Sequence, residues 1–149
     1  MAPARTHHAD PRRAELRNRA RAAREIRNAV KAVAAGPAHA SAHLIAGGVT
    51  PLVAHNYANT VTKKANGLDR EAGKGTTAKK RKGKKGLTVS RTNDLGRKKH
   101  HRVVAVALWT REDIRAVALS GYTPKNEQVA DFFAALRLGR RPAAARAAA

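Results

Sequence analysis

The sequence predicts a mainly α-helical protein with a short β-hairpin, in which two small helical units flank a basic, flexible segment. Three observations support this fold class. Apolar residues recur at spacings of three and four, helix-start and helix-stop residues bound those stretches, and charge is uneven along the chain. The 149 residues include 31 Lys and Arg against 10 Asp and Glu, a formal net charge of +21. Residues 63–102 hold fifteen basic and three acidic residues, whereas residues 41–62 hold none of either.

The first helical unit covers residues 10–63 and follows an N-terminus, residues 1–9, that we expect to be disordered. Asp10 before Pro11 predicts a helix start, because the carboxylate caps backbone N–H groups and Pro at the first helical position loses no hydrogen bond. Gly36 and Pro37 predict the end of this helix. Its expected core-facing stripe consists of Leu16, Ala20, Ala23, Ile26, Val30 and Val33.

A second helix over residues 38–46 and a third from Pro51 complete this unit, and Val53, Tyr57 and Val61 form the apolar stripe of the third helix. The turn between them reads GVTP at residues 48–51, and the same pattern returns as GYTP at residues 121–124. In each copy we expect Gly to adopt positive φ, the Thr hydroxyl to accept a backbone N–H, and Pro to open the next helix.

The basic flexible segment covers residues 64–86, where Gly, Thr and Lys dominate and almost nothing apolar is available to bury. The simplest interpretation of such a run is a solvated linker, and the sharper one is an arm that binds phosphate.

Residues 87–139 predict a second unit. GLTVSRT and RVVAVALW have the branched residues of strands, with NDLG as the turn between them. Residues 140–149 predict a disordered tail.

Two helices complete the second unit. Thr110 stands three residues before Asp113, a capping-box arrangement that predicts a helix start. The last helix places four large apolar residues on one face, and we interpret Trp109 and Tyr122 as core anchors. The four residues of that face are Val129, Phe132, Phe133 and Leu136.

The stretches AHLIAGGVTPLVAHNYANTV and DIRAVALSGYTPKNEQVADFF resemble the helix-turn-helix segments of DNA-binding regulators of phage or mobile-element type. The resemblance covers about twenty residues in each copy, and it implies small helical units of helix-turn-helix type. By this resemblance, exposed side chains of the second helix in each copy would face bases. The acidic residues Glu127 and Asp131 in the second copy would repel phosphate, so we expect the first copy to read DNA and the second to serve packing or dimerisation.

The candidate site residues follow from this resemblance and from the distribution of charge. The base-reading candidates are Leu52, His55, Asn56 and Asn59. The phosphate-binding candidates are Lys63, Lys64, Lys74, Lys79, Lys80, Arg81, Lys82, Lys84, Lys85, Arg91, Arg97, Lys98 and Lys99, and the second-copy candidates are Lys125, Asn126 and Gln128.

The sequence offers few residues for metal binding or catalysis. His39 and His43 have a metal-ligand spacing on one helix face, but no Cys exists and no acidic residue is nearby, so we expect no metal site and no cofactor. His100 and His101 follow a basic run and extend it. The acidic residues are too scattered to predict a Mg²⁺-dependent nuclease, and we expect no enzymatic activity.

Three functions remain open at this stage. The leading hypothesis is a small transcriptional regulator or accessory factor that binds double-stranded DNA. The alternatives are an RNA-binding or ribosome-associated basic protein and an architectural protein that coats DNA without sequence choice. No apolar run reaches the roughly 18 residues of a membrane span, so we expect a protein that does not bind membranes. With the leading hypothesis we also expect a cytoplasmic, nucleoid-associated protein that could form a homodimer.

Overall fold

The computed structural model describes residues 10–80, 88–92 and 98–140. These residues form five helices and a small antiparallel sheet, so the predicted fold class, mainly α with a short β-hairpin, is confirmed. The helices are α1 (Pro11–Ala35), α2 (Ala40–Ala46), α3 (Pro51–Asn66), α4 (Arg111–Leu119) and α5 (Glu127–Arg137). The strands are β1 (Gly73–Lys80), β2 (Thr88–Thr92) and β3 (Lys98–Leu108). The predictions for residues 1–9 and 141–149 lie outside the described residues.

Helix α1 begins and ends where the sequence predicts. The Asp10 carboxylate accepts a hydrogen bond from the Arg12 backbone N–H at 3.1 Å, and Gly36 ends the helix with φ of 138°. The predicted core-facing stripe is wrong over its first four positions, from Leu16 to Ile26, which are all exposed; Leu16 and Ile26 are 64% and 39% exposed. Ala29 is the one buried residue of α1, since only the C-terminal part of the helix packs against α2.

Helices α2 and α3 pack on one another across the first Gly-x-Thr-Pro turn. Gly48 adopts φ of 94° and Pro51 opens α3, both as predicted. The Thr50 hydroxyl does not cap α3. It donates instead to the side-chain oxygen of Gln128, which comes from the second copy of the pattern. The buried face of α3 consists of Ala54, Ala58, Val61 and Ala65, with Val53 and Tyr57 half-buried beside it.

The sheet has the order β1-β3-β2, and both pairings are antiparallel. The pairing of β2 with β3 is the predicted hairpin, although its turn at residues 93–97 lies outside the described residues. Strand β1 was not expected, because it falls within the segment predicted to be flexible, residues 64–86. Residues 64–66 of that segment complete α3, and residues 81–87 lie outside the described residues. A strand of Gly, Thr and Lys forms here because its backbone groups pair with β3, a partner that local composition does not reveal.

The second Gly-x-Thr-Pro copy differs from the first. Gly121 has positive φ, 83°, as predicted, but α5 begins at Glu127 rather than at Pro124. The cap is Asn126, whose side chain accepts the Val129 backbone N–H, and Asn is at least as good a cap as Thr. The predicted capping box at the start of α4 is present in full, with Thr110 and Asp113 bonding each other's backbone N–H groups.

All five helices contribute to one hydrophobic core, so the two helical units predicted on either side of the basic segment pack together. Trp109 is fully buried at its centre, and its backbone N–H and C=O both bond Ala38 in the loop between α1 and α2. The Trp109 carbonyl also accepts the ring N–H of His43 at 2.8 Å. Phe132, Phe133 and Tyr122 pack edge to face nearby, which fixes α5 on the core.

Candidate nucleic-acid interface

Helix α3 presents one polar face to solvent, opposite its buried alanines. Its members recur at spacings of four and three, are all exposed and include no carboxylate. We call this the α3 polar face; it consists of Leu52, Asn56, Asn59, Lys63 and Asn66. Side-chain amides can pair bidentately with adenine, and an ammonium group can hold a phosphate. Asn66 was not among the residues predicted from the sequence, although its position seven residues after Asn59 indicates the same face.

Of the four base-reading candidates, the structure places Leu52, Asn56 and Asn59 on this face. His55 lies at its edge, where the ring bonds the Glu25 carboxylate of α1 at 2.5 Å. Both side chains are partly exposed, so the contact is a surface link between α1 and α3. The His55 ring is therefore bonded to a neighbouring helix, whereas the side chains of Leu52, Asn56 and Asn59 are exposed.

The second Gly-x-Thr-Pro copy supports the start of α3. The Gln128 side-chain oxygen accepts both the backbone N–H of Thr50, at 3.0 Å, and the Thr50 hydroxyl, at 3.1 Å. Farther along α3, the Tyr57 hydroxyl accepts the backbone N–H of Asn126 at 3.1 Å. These bonds tie the start and the middle of α3 to residues 126–128 of the second copy.

Residues 122–128 run beside α3 in the opposite direction, from its C-terminal end to its N-terminal end. Lys64 lies over the Tyr122 ring, 5.7 Å from its centroid, near the C-terminal end of α3. A shallow groove separates Asn56 and Thr60 on α3 from residues 122–125, with Lys125 exposed on its far wall. Lys125 thus adds a positive charge beside the α3 polar face.

The remaining second-copy candidates have structural roles. Asn126 caps α5 and Gln128 bonds Thr50, whereas the acidic side chains of Glu127 and Asp131 are exposed on α5. Of these two helices, α5 exposes acidic side chains, whereas α3 exposes uncharged and basic ones. The two copies therefore present different electrostatic surfaces even though their turns share a sequence.

The phosphate-binding candidates divide between α3 and the sheet. Lys63 lies on the α3 polar face, and Lys74 is exposed near the start of β1, close to the helices. The strand register brings Lys79 opposite Arg102, and Arg91 opposite Lys99. Lys80 and Lys98 lie at the same end of the sheet, and Arg81, Lys82, Lys84, Lys85 and Arg97 lie outside the described residues.

These strand positions are separated from the helices along the sheet. Gly73 and Leu108, which pair at the other end, adjoin the segments that lead to the helices, and Lys80 lies seven positions after Gly73 along β1. At a rise of about 3.4 Å per residue, that is a distance of about 24 Å. We call the region of Lys79, Lys80, Arg91, Lys98, Lys99 and Arg102 the basic sheet end. The register collects basic residues there from all three strands.

The histidines interpreted above as weak metal candidates do not converge. His39 bonds the Ser41 hydroxyl at 2.7 Å, whereas the His43 ring is buried and donates to the Trp109 carbonyl. Burial lowers the pKa of His43 below its ordinary value of 6.5, and the nearby Arg111 lowers that pKa further. In the part of the chain that the structure describes, no three His, Asp or Glu side chains are grouped as a metal ion would require.

Comparison with known proteins gives no relative for this chain: a scan against protein-family models, a search of curated proteins and a search of solved structures each found no match. Among the described residues, no helix is both long enough and apolar enough to cross a membrane.

Proposed function

We propose that this chain is a DNA-binding protein of helix-turn-helix type, in which the α3 polar face reads bases in the major groove and the basic sheet end holds backbone phosphates. The observation that supports this function best is the α3 polar face itself. It combines exposed amides with a lysine and carries no acidic side chain. A helix with that surface, supported at its start by Gln128, suits insertion into a groove lined with negative charge.

The basic sheet end supplies the second part of the proposal. Positive side chains on a β-ribbon can follow the phosphate backbone, and each phosphate contact makes binding weaker as salt rises. Such contacts hold the protein on DNA without selecting a sequence. Base reading by α3 is therefore the part of the proposal that predicts a preferred site.

Selection from a random duplex library at about physiological salt tests whether a preferred site exists. On the selected site, Asn56→Ala should weaken binding by about 1–3 kcal/mol, with little effect on random DNA, as expected for a lost base contact. Asn28→Ala is the matched control, because it makes the same change at an exposed position of α1 away from the α3 polar face. Circular dichroism checks that both variants are folded.

Two results would reject this proposal. If structured RNA outcompetes every duplex, the chain is an RNA-binding protein. If no motif is enriched and Asn56→Ala matches Asn28→Ala on all DNA, the protein coats DNA without sequence choice.

Replacing Lys79 and Lys80 by Gln tests the basic sheet end separately. We expect the affinity of this variant to depend less on salt concentration for every duplex, with the site preference unchanged.

A further inference from the structure

Helix α1 carries a continuous basic face that the proposed function does not use. Six positions recur at spacings of four, three, four, three and four, which align them along one side of a helix. Five of the six are basic, and all six are exposed. We call this the α1 basic face; it consists of Arg13, Arg17, Ala20, Arg24, Arg27 and Lys31.

The acidic residues of α1 lie off this face. Glu15 bonds Arg19 at 2.6 Å, and Glu25 bonds His55 of α3. The Asp10 cap is close to this face, and its carboxylate lies 3.8 Å from Arg13 in an exposed pair. Such exposed pairs are weak, so Asp10 offsets little of the positive charge along the α1 basic face.

Packing against the core does not account for the length and the basic composition of α1. Residues 11–21 are all exposed, and Ala29 is the one buried residue among the 25 of α1. Like charges four residues apart, such as Arg13 with Arg17 and Arg27 with Lys31, also destabilise a helix by a few tenths of a kcal/mol per pair. An anionic partner bound along the face would offset this repulsion.

We infer that the α1 basic face is a second phosphate-binding surface, which contacts the backbone of duplex DNA next to the part bound by α3. This inference rests on the proposed function. The contact between Glu25 and His55 places α1 directly beside α3. The face extends 18 residues, or about 27 Å at 1.5 Å per residue, which matches about eight base pairs of duplex. Its occupant is identified by charge complementarity, because five exposed cations along one face, with the exposed Asp10 carboxylate beside Arg13 at one end, fit a polyanion.

Two triple variants of α1 test the inference. The face variant is Arg17→Gln, Arg24→Gln and Arg27→Gln. The control variant is Arg12→Gln, Arg19→Gln and Arg21→Gln, which removes the same charge from the other sides of the same helix. Arg and Gln have similar helix propensities, so both variants should keep α1, as circular dichroism would verify.

The measurement is the affinity for a random-sequence duplex as a function of salt concentration, with the full chain. The face variant should reduce the slope of log affinity against log salt by about 2.7, since each lost phosphate contact contributes about 0.9 on duplex DNA. We expect the control variant to reduce the slope by less than half as much, because its positions lie to the sides of the contact.

Equal slopes for the two variants would reject the α1 basic face while leaving DNA binding by α3 intact. A wild-type chain that binds no duplex would reject the inference together with the proposed function. A wild-type chain that prefers structured RNA to duplex would do the same. Selection on random duplexes separates failure of the α1 basic face from failure of the proposed function. When the selection is run at lower salt, the face variant should enrich the same motif as the wild type.

Discussion

Replacing Gly47 by Ala should destabilise the fold, because a Cβ at this position would overlap the Phe132 ring. Gly47 has φ of −83°, which any residue adopts, so the expected effect is steric and involves no backbone strain. Phe132 is only 5% exposed and packs edge to face on Phe133, with 5.3 Å between ring centroids, so its ring cannot move aside freely. Overpacking of this kind typically costs about 1–3 kcal/mol of unfolding free energy.

Urea unfolding followed by circular dichroism measures this loss. For a small protein with a slope of about 2 kcal/mol per molar urea, a loss of 2 kcal/mol lowers the midpoint by about 1 M. Gly67→Ala is the control, because Gly67 has φ of −69° and its nearest atoms would lie at 3.5 Å from the new Cβ. That change should be neutral or should stabilise by about 0.4–1 kcal/mol through the unfolded state.

A second substitution tests whether the Phe132 ring is the cause. Phe132→Ala removes the ring carbons that a Cβ on Gly47 would meet, so the double variant should be more stable than the sum of the two single effects implies. If Gly47→Ala is as stable as Gly67→Ala, or if the two effects simply add, the close approach of α5 to the first turn is wrong.

Three further predictions concern side chains that the structure gives specific partners. Thr50→Ala and Gln128→Ala should each cost about 0.5–1.5 kcal/mol in urea unfolding. Both changes remove the bond between the Thr50 hydroxyl and Gln128, so the double variant should lose less stability than the sum of the two single effects. Asn126→Ala should cost about 1 kcal/mol through the lost cap of α5 and leave the selected DNA motif unchanged; a changed motif would show that the second copy reads bases. The lowered pKa of His43 means that the unfolded chain binds its proton more readily, so the stability from neutral His43 should be lost as pH falls below 6.5. Comparing urea midpoints at pH 7.5 and pH 5 should show a smaller drop for His43→Phe than for the wild type, and equal drops would argue against this role.

The sequence by itself determined the features that depend on residues a few positions apart. The cap at Asp10, the end of α1 at Gly36 and the capping box of Thr110 with Asp113 were all predicted correctly. The two caps each consist of a side chain and a backbone group within three residues, and the end of α1 depends on the positive φ of Gly36 alone, so the local pattern contains everything needed. The apolar face of α5 was also predictable, because helical periodicity alone aligns its four buried residues.

The tertiary structure decided which of two similar turns supports the other. Both copies of Gly-x-Thr-Pro have the Gly conformation that the sequence predicts, but only the first begins a helix at Pro, because Asn126 provides a competing cap in the second. Thr50 obtains its partner, Gln128, from 78 residues away. No local pattern contains that contact.

Strand β1 and the surface positions of α3 were decided in the same way. The backbone of β1 is satisfied by β3, which lies more than twenty residues farther along the chain, and composition does not encode such a pairing. His55 has the polarity and spacing of its neighbours on the α3 polar face, and only the approach of Glu25 from α1 distinguishes it. Helix boundaries depend on short-range hydrogen bonds, whereas strand pairing and the availability of a surface side chain depend on which distant segments the core brings together.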